Sequence, residues 1–340
     1  MRALRHGLPM VIAHRGASGY RPEHTRSAYV LAIELGADAV EPDLVTTSDG
    51  VLVIRHENEI SGTTDVAAHP EFAALRTTKT VEGEKLTGWF TEDFTWTELS
   101  TLRARERLPK LRPDNRNFEG EDGILRFSDL LEILDAAPPI AATGRRVGLV
   151  AEIKHASYFA SIGMPLDVLF AAELARAGWD DDERLTVESF ETTVLGQIRD
   201  RGIRARYIFL LEASGGPADH PQKLYADHLT PEGLAALAAG DGVPRVDGIS
   251  VDKQLLLATD ACGTTLTDLV DRAHAAGLAI FCWTLRAENR FLVMDLRIGT
   301  SPAAHGNWRR EFELILGSGI DGVFADQADL ALQVRAALAS

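Results

Sequence analysis

The stretch VIAHRGASGYRPEHT, residues 11–25, places an imidazole and a guanidinium directly after a short apolar run. Residues 10–13 have the composition of a buried strand, and His14 and Arg15 follow at its carboxyl end. The Gly-, Ser- and Pro-containing residues that come next lead into a segment with helical apolar spacing, which Gly36 closes. A strand that ends in polar side chains and continues into a helix is the repeating unit of parallel α/β folds.

The same unit recurs along the chain. Including the first, the short apolar runs that end in polar residues cover 10–16, 38–44, 147–154, 184–190, 205–211, 246–252, 278–285 and 320–326. Helical spacing lies between most of them, for example in a segment with Ser128 as N-cap and in 265–277 with Gly277 as C-cap. Eight such strands close a (β/α)8 barrel. An open doubly wound sheet is the alternative, but no G-x-G-x-x-G turn follows the first strand. We therefore predict an α/β fold of the TIM (β/α)8 barrel type.

A ninth apolar run, residues 51–57, departs from this alternation. It follows the turn signal Ser-Asp-Gly at 48–50, which is typical of a hairpin. The run 51–57 should therefore fold back on 40–47. With the turn centred near 48 and 49, His56 is expected roughly opposite residues 41 and 42.

The hairpin leaves residues 60–126 as a long insertion after strand 2 and before the second barrel helix. Long loops at the C-terminal face of a barrel usually shape the substrate opening. We predict one domain over residues 1–340 that contains this insertion.

The charge of the chain limits its partners. Lys and Arg number 35 and Asp and Glu 50, for a net charge of −15, which argues against nucleic acid or an anionic membrane as the main partner. No apolar run reaches the length of about 18 residues that a transmembrane helix needs, so stable membrane insertion is not expected. No secretory leader is recognised, which predicts a cytoplasmic location by default, or a periplasmic or secreted one if a leader was removed.

Charged and aromatic side chains are dense at the carboxyl ends of the predicted strands. In a barrel these ends meet at one face, where catalytic side chains lie. Unpaired buried charge is costly, so the carboxylates predict a bound cation and the basic groups a bound anion. The side chains concerned are His14 and Arg15 of strand 1, Glu41 and Asp43 of strand 2, His56 of the hairpin, Glu152 and Lys154 of strand 3, Glu188 of strand 4 and Trp283 of strand 7.

Carboxylate ligands without cysteine favour a hard ion, Ca²⁺ or Mg²⁺, over Zn²⁺. A dication would also make a locally positive site for an anionic small molecule in an acidic protein. Arg15 and Lys154 suit phosphate oxygens. His14 and His56 on opposite sides of a phosphate would supply the base and the acid of an in-line displacement.

Each of these residues also has a purely structural explanation. Glu41 and Asp43 alone would serve as caps for loop amides, and Trp283 alone would serve as core. Two roles are equally compatible with Glu188: it is either a neighbour of the metal or a solvated residue at a strand end. Taken together, however, several strands would have to place charge at one rim for unrelated reasons.

The motifs AHRGASGYRPEHT, GADAVEPDLVTTSDGVLVIRHE, AEIK, LTVESF, CWT and DGVFAD resemble, in this order, those of the glycerophosphodiester phosphodiesterase family. The likeness covers nearly the whole chain, and the insertion and the EHT spelling resemble the longer, periplasmic-type bacterial branch. The resemblance implies a TIM barrel that hydrolyses glycerophosphodiesters to glycerol 3-phosphate and an alcohol such as choline or ethanolamine. It further implies attack by the glycerol 2-hydroxyl and opening of a cyclic phosphate by water.

The resemblance also implies roles for single residues. Ca²⁺ is the favoured ion and Mg²⁺ the alternative. The implied roles are acid–base catalysis for His14 and His56, metal binding for Glu41, Asp43 and Glu152, and phosphate or substrate binding for Arg15, Lys154 and Trp283.

Three positions depart from the family pattern. His24 stands where many members have Asn, and Glu57 follows His56 where Asp is usual. The run from Trp283 to Arg286 reads W-T-L-R in place of W-T-V-N, which we expect to affect recognition of the alcohol.

Two other functions are compatible with these residues. One is a phospholipid lyase of the sphingomyelinase D type that stops at the cyclic phosphate; the chain has no disulfide pattern and no obvious membrane-facing apolar patch to support it. The other is a non-catalytic glycerophosphodiester-binding protein, against which the retention of both histidines and all three carboxylates argues.

Overall fold

The computed structural model describes residues 7–260 and 263–339. Its strands are β1 Met10–His14, β2 Ala39–Glu41, β3 Asp43–Thr46, β4 Leu52–Ile54, β5 Thr77–Val81, β6 Glu84–Gly88, β7 Gly148–Ile153, β8 Leu185–Ser189, β9 Arg206–Leu211, β10 Gly248–Asp252, β11 Leu257–Asp260, β12 Gly263–Leu266, β13 Ala279–Leu285 and β14 Gly322–Ala325. Its α-helices are α1 Arg26–Glu34, α2 Trp96–Leu99, α3 Phe127–Ala136, α4 Ala156–Ser161, α5 Leu166–Ala177, α6 Thr192–Asp200, α7 Tyr225–His228, α8 Pro231–Ala239, α9 Leu269–Ala275, α10 Trp308–Leu316 and α11 Ala328–Leu338.

The parallel strands close into a barrel. Around it run β1, the β2–β3 strand, β7, β8, β9, β10, β13 and β14, and β14 pairs with β1 again. The second barrel strand is in two pieces because Pro42 lies between β2 and β3 and has no N–H for the ladder. β2 pairs with β1 and β7, and β3 continues the pairing with β7. The prediction of a TIM (β/α)8 barrel is confirmed.

The hairpin after the second strand has the expected register. β3 and β4 pair antiparallel, with Val45 opposite Val53, and the Arg55 N–H donates to the Asp43 carbonyl at 2.9 Å. Continued by one residue, this register places His56 opposite residue 42. Gly50 closes the turn with φ +79°, in the left-handed region that glycine adopts without strain.

Two helix starts differ from the prediction. Ser128 is not the N-cap, because α3 begins at Phe127, two residues earlier than predicted. The N-cap is Arg126, whose N–H donates to the Asp129 carboxylate at 3.1 Å. The helix expected over 265–277 begins only at α9, since residues 263–266 pair in the β11–β12 hairpin. No helix within the described residues combines the length and the apolar character needed to cross a lipid bilayer.

Residues 60–126 pack on the carboxyl end of the barrel. They contain the β5–β6 hairpin, α2 and several short 3₁₀ turns. Arg112 and Asn115 both donate to the Ser18 carbonyl in the loop after β1, at 3.0 and 3.1 Å. Phe90 and Phe94 are fully buried. The insertion is therefore held both by hydrogen bonds and by apolar contacts.

The barrel interior is an apolar plug below the polar strand ends. Gly322 leaves room for the Phe281 ring, because a Cβ at residue 322 would lie 2.6 Å from the Cδ1 atom of Phe281. The plug supports the floor of the polar face, as the interior layers of such barrels do. Its buried members are Ile12, Ala39, Val150, Ile208, Phe281 and Phe324.

Replacing Phe281 by Ala tests the contribution of this plug. Phe281 is 2 % exposed, and its loss opens a cavity that the closed barrel fills poorly. We expect Phe281→Ala to lower the free energy of unfolding in urea by about 3–5 kcal/mol. The control Leu338→Ala, on a side chain that is 48 % exposed, should change it by about 0.5 kcal/mol or less. Equal effects of the two substitutions would contradict this description of the core.

Candidate active site

A cavity of about 1390 Å³ opens at the carboxyl ends of the barrel strands. Seven of the eight predicted site residues line it: His14, Arg15, Glu41, His56, Glu152, Lys154 and Trp283. Asp43, the eighth, is fully buried and contacts Arg15 and Lys154. The topology thus gathers residues that are up to 269 positions apart in the sequence, from 14 to 283, around one space.

Three carboxylates form a compact group in this cavity. Glu41, Glu152 and Glu188 each offer an oxygen, and these oxygens lie within 4.8 Å of one another. Glu41 Oε1 and Glu188 Oε2 are buried and have no hydrogen-bond partner among the described residues. A Ca²⁺ ion binds oxygens at about 2.3–2.6 Å. Two oxygens on opposite sides of the ion are therefore separated by about twice that distance, which is close to the 4.8 Å within which these oxygens lie. The group therefore fits a hard divalent cation.

Asp43 lies outside this group, although it was predicted to be a ligand with Glu41 and Glu152. Its Oδ2 is 2.7 Å from His24 Nε2 and 3.3 Å from Arg15 Nε. The structure thus groups Glu188, whose role the sequence did not decide, with two of the three predicted metal ligands. Asp43 pairs with these basic groups, although its Oδ1 is buried without a hydrogen-bond partner among the described residues and its charge raises the pKa of the neighbouring Glu152.

Burial and neighbouring negative charge raise the pKa values of the grouped carboxylates. Burial, with Asp43 and Glu152 nearby, raises the pKa of Glu41 well above its usual range. Burial also raises the pKa of Glu152 to about 8, and burial together with Glu152 raises that of Glu188. A cation among them would remove this repulsion and favour the ionised carboxylates.

His14 presents one ring nitrogen to the cavity. Its Nδ1 is 2.6 Å from Asp326 Oδ1, which leaves Nε2 as the nitrogen without that partner. Burial and the neighbouring Arg15 lower the pKa of His14 to about 4. The imidazole is therefore neutral at pH 7 and able to accept a proton.

His56 also has a carboxylate beside its Nδ1, on the hairpin side. Its Nδ1 is 2.5 Å from Glu57 Oε1, so the longer Glu57 side chain reaches the imidazole. Burial, Arg15 and Lys154 lower the pKa of His56 to about 3. Glu57 also lies 3.7 Å from His155 Nε2.

Arg15 and Lys154 bring positive charge to the same wall. Arg15 Nη1 donates to both oxygens of Glu23 at 3.1 Å, and its backbone has φ +60°. Lys154 Nζ donates to Glu152 Oε1 at 2.8 Å and lies 3.7 Å from Asp43 Oδ1. Both side chains are buried and line the cavity, so an anion bound there would contact two positive charges whose interactions with it are only partly screened by water.

An aromatic wall bounds the cavity on the other side. The ring centroids of Trp283 and Phe190 are 5.8 Å apart with an interplanar angle of 81°, an edge-to-face contact. Trp283 Nε1 donates to the Ser250 carbonyl at 3.3 Å. Trp283 thus packs against the apolar interior and also lines the cavity.

Sequence reasoning did not assign a role to Asp326 or Arg112. Asp326 follows β14, so the strand-end rule applied to the eighth strand would have found it. Arg112 belongs to the insertion, and its Nη2 donates to Asp326 Oδ2 at 2.6 Å. No local pattern marks it.

Comparisons with known proteins agree with the geometry. The model of the Glycerophosphoryl diester phosphodiesterase family matches residues 14–330. The chain is 31 % identical to glycerophosphodiester phosphodiesterase GDPD6 of Arabidopsis thaliana, over 96 % of this chain and 85 % of the relative. It is 29 % identical to a glycerophosphodiester phosphodiesterase of Haemophilus influenzae over 56 % of this chain and 52 % of the relative.

Solved structures share the fold. A phosphodiesterase of Oleispira antarctica in complex with the product sn-glycerol-3-phosphate matches with TM-score 0.62 and 19 % identity, over 96 % of both chains. A glycerophosphodiester phosphodiesterase of Agrobacterium tumefaciens matches with TM-score 0.59 and 17 % identity, over 96 % of this chain and 100 % of that one. Since the family model covers most of the sequence, the chain belongs to the glycerophosphoryl diester phosphodiesterase family.

Proposed function

We propose that this protein hydrolyses glycerophosphodiesters to glycerol 3-phosphate and an alcohol, with one divalent cation and with His14 and His56 as the acid–base pair. The observation that carries this proposal is the junction of three grouped carboxylates with two neutral imidazoles and two basic side chains in one cavity. Membership of the family supports the reaction. The related structure with sn-glycerol-3-phosphate supports the product.

Glu41, Glu152 and Glu188 would hold the cation. Their grouped oxygens, two of them buried without a hydrogen-bond partner, fit its coordination. When bound, such an ion supplies positive charge that offsets charge on the non-bridging oxygens of the phosphate. The resemblance favours Ca²⁺ over Mg²⁺, and an all-oxygen ligand set suits both ions.

The two basic side chains would bind the phosphate. Arg15 offers a planar guanidinium suited to two oxygens, and Lys154 adds a compact charge. Asp43 holds both of them near the carboxylate group, at 3.3 and 3.7 Å. The negative charge of the diester would therefore be met by donors that the neighbouring carboxylates hold in place.

The histidines would move the protons. One neutral imidazole takes the proton of the glycerol 2-hydroxyl as it attacks phosphorus, and the other protonates the oxygen of the departing alcohol. The bound phosphate anion raises the pKa of the neighbouring imidazole and so charges the acid. In the second step the roles reverse, and water opens the cyclic phosphate.

A product assay tests this function. Glycerophosphocholine, glycerophosphoethanolamine and glycerophosphoglycerol are supplied separately with Ca²⁺ or Mg²⁺ and followed by phosphorus NMR. We expect glycerol 3-phosphate as the end product with at least one ion, and no reaction in EDTA, because the positive charge that would offset the non-bridging phosphate oxygens is then missing. A cyclic phosphate that persists would indicate a lyase. Ligand binding without cleavage under either ion would indicate a binding protein.

Loss of either histidine should slow the reaction with the fold intact. We expect His14→Ala and His56→Ala each to lower kcat by roughly 10²–10⁴-fold, the usual contribution of a general acid or base. The matched control is His274→Ala, on α9, where the imidazole contacts Asp321 at 3.0 Å. Near-normal kcat in either site variant would remove that residue from the mechanism.

Cation affinity should depend on pH. In the cation-free protein the pKa of Glu152 is about 8, so the ion must displace a proton below that pH. We expect the Ca²⁺ affinity measured by calorimetry to rise from pH 6 to 8 by about tenfold or more per pH unit, and to keep rising above pH 8 while Glu41 and Glu188, whose pKa values are also raised, still have protons to lose.

The same measurement tests the ligand set. Glu188→Gln removes one ligand charge and should weaken Ca²⁺ binding by about tenfold or more. Glu132→Gln, on the exposed face of α3, should leave the affinity unchanged. A cation affinity that is independent of pH and of Glu188 would place the ion elsewhere.

A further inference from the structure

Asp326 is in contact with a proposed catalytic group, His14, although 312 residues separate them in the sequence. Asp326 Oδ1 lies 2.6 Å from His14 Nδ1, and the Asp326 side chain is 1 % exposed. A buried carboxylate at this distance from an imidazole can fix both the orientation of the ring and the position of its proton.

The second oxygen of Asp326 is held by two arginines. Arg112 Nη2 donates to Oδ2 at 2.6 Å, and Arg286 Nε donates to the same oxygen at 2.7 Å. Despite its burial, Arg286 and Arg112 hold the pKa of Asp326 well below its usual range. The carboxylate is therefore ionised and has no proton to donate.

The position of the shared proton follows from this charge. An ionised carboxylate only accepts hydrogen bonds, so the proton between Asp326 Oδ1 and His14 Nδ1 must belong to the imidazole. Because His14 is neutral at pH 7, its other nitrogen, Nε2, is then unprotonated. A base needs such a nitrogen.

We propose that Asp326 is a positioning residue that fixes His14 as the Nδ1–H tautomer with Nε2 as its reacting nitrogen, and that Arg112 and Arg286 lock Asp326 in this role. The importance of the tautomer for catalysis rests on the function proposed above for His14. The proposal adds two residues from different parts of the fold, since Arg112 lies in the insertion and Arg286 follows β13.

Arg112 is itself fixed by its other contacts. Its Nε donates to Glu288 Oε1 at 2.7 Å, and its Nη1 donates to the Ser18 carbonyl at 3.0 Å. Each of its three nitrogens thus has a partner, in keeping with the rigid fork of the guanidinium. The insertion therefore acts on His14 through one side chain whose direction is fully determined.

These hydrogen bonds predict how Asp326→Asn changes the protonation of His14. The two guanidinium donors require an acceptor at the Oδ2 position, so the Asn carbonyl oxygen must lie there and its NH₂ must face His14. An NH₂ group cannot accept, so His14 Nδ1 has to become the acceptor and the proton moves to Nε2. The substitution thus inverts the tautomer, and a base with its reacting nitrogen already protonated cannot accept a proton.

The test is nitrogen NMR of the protein labelled with ¹⁵N-histidine at pH 7, with the His14 signals assigned by their loss in His14→Gln. We expect the Nδ1–H tautomer in the unmodified protein and the Nε2–H tautomer in Asp326→Asn. On glycerophosphocholine with Ca²⁺, Asp326→Asn should lower kcat by roughly 10³–10⁴-fold and leave KM nearly unchanged, since the substrate contacts remain.

The control variant is Asp329→Asn, whose carboxylate accepts from the Tyr20 hydroxyl at 2.8 Å and does not contact His14. It should keep both the tautomer and kcat. An Nε2–H tautomer of His14 in the unmodified protein would overturn the proposal, as would Asp326→Asn with normal kcat.

The experiments distinguish an error in the proposed hydrolysis from an error in the positioning role of Asp326. If the unmodified protein cleaves no glycerophosphodiester, the proposed function is wrong, while its His14 spectrum, which needs no substrate, still decides the positioning claim. If Asp326→Asn loses its near-ultraviolet circular dichroism and does not fold, the spectrum of the unmodified protein decides alone.

Discussion

Buried negative charge at one end of the barrel is the constraint on which the rest of the site depends. Arg15 and Lys154 lie among the carboxylates and offset only part of their charge. An uncompensated buried carboxylate is costly, so the remaining charge calls for either protonation or a cation, and one divalent ion has the charge that is needed. The carboxylates belong to neighbouring strands and are Glu41, Asp43, Glu152 and Glu188.

Burial, together with the same basic groups, keeps the histidines neutral. Burial and the proximity of Arg15 lower the pKa of both His14 and His56, so each is able to accept a proton at neutral pH. Phosphate binding and acid–base chemistry are thus linked by shared electrostatics, since a substrate anion that pairs with Arg15 relieves the effect of that charge on the imidazoles.

Much of this was accessible from the sequence because its signals are local. Apolar runs marked the barrel strands, and polar residues at their carboxyl ends marked the cavity, which His14, Glu41 and Glu152 all line. The distinction between Asp43 and Glu188 was not accessible. It depends on His24, in the loop after β1, which bonds Asp43, and on the direction in which Glu188 leaves the neighbouring strand.

Contacts between distant segments were equally out of reach. Arg112 and Asp326 are 214 residues apart, and no periodicity joins an insertion to the last barrel strand. Arg286, which we expected to affect recognition of the alcohol, is engaged by Asp326 in the structure. Glu57 contacts His56 in spite of its extra methylene. The effect of a residue that departs from the family pattern therefore depends on the distant residues that it contacts.

The central claim is that the grouped carboxylates hold one hard dication. The most direct measurement is an anomalous difference map from crystals grown with Mn²⁺, an ion that takes oxygen ligands as Ca²⁺ and Mg²⁺ do. We predict one strong peak in the cavity, coordinated by Glu41, Glu152 and Glu188. A peak elsewhere, or a map in which these carboxylates remain without an ion at saturating Mn²⁺, would contradict the account.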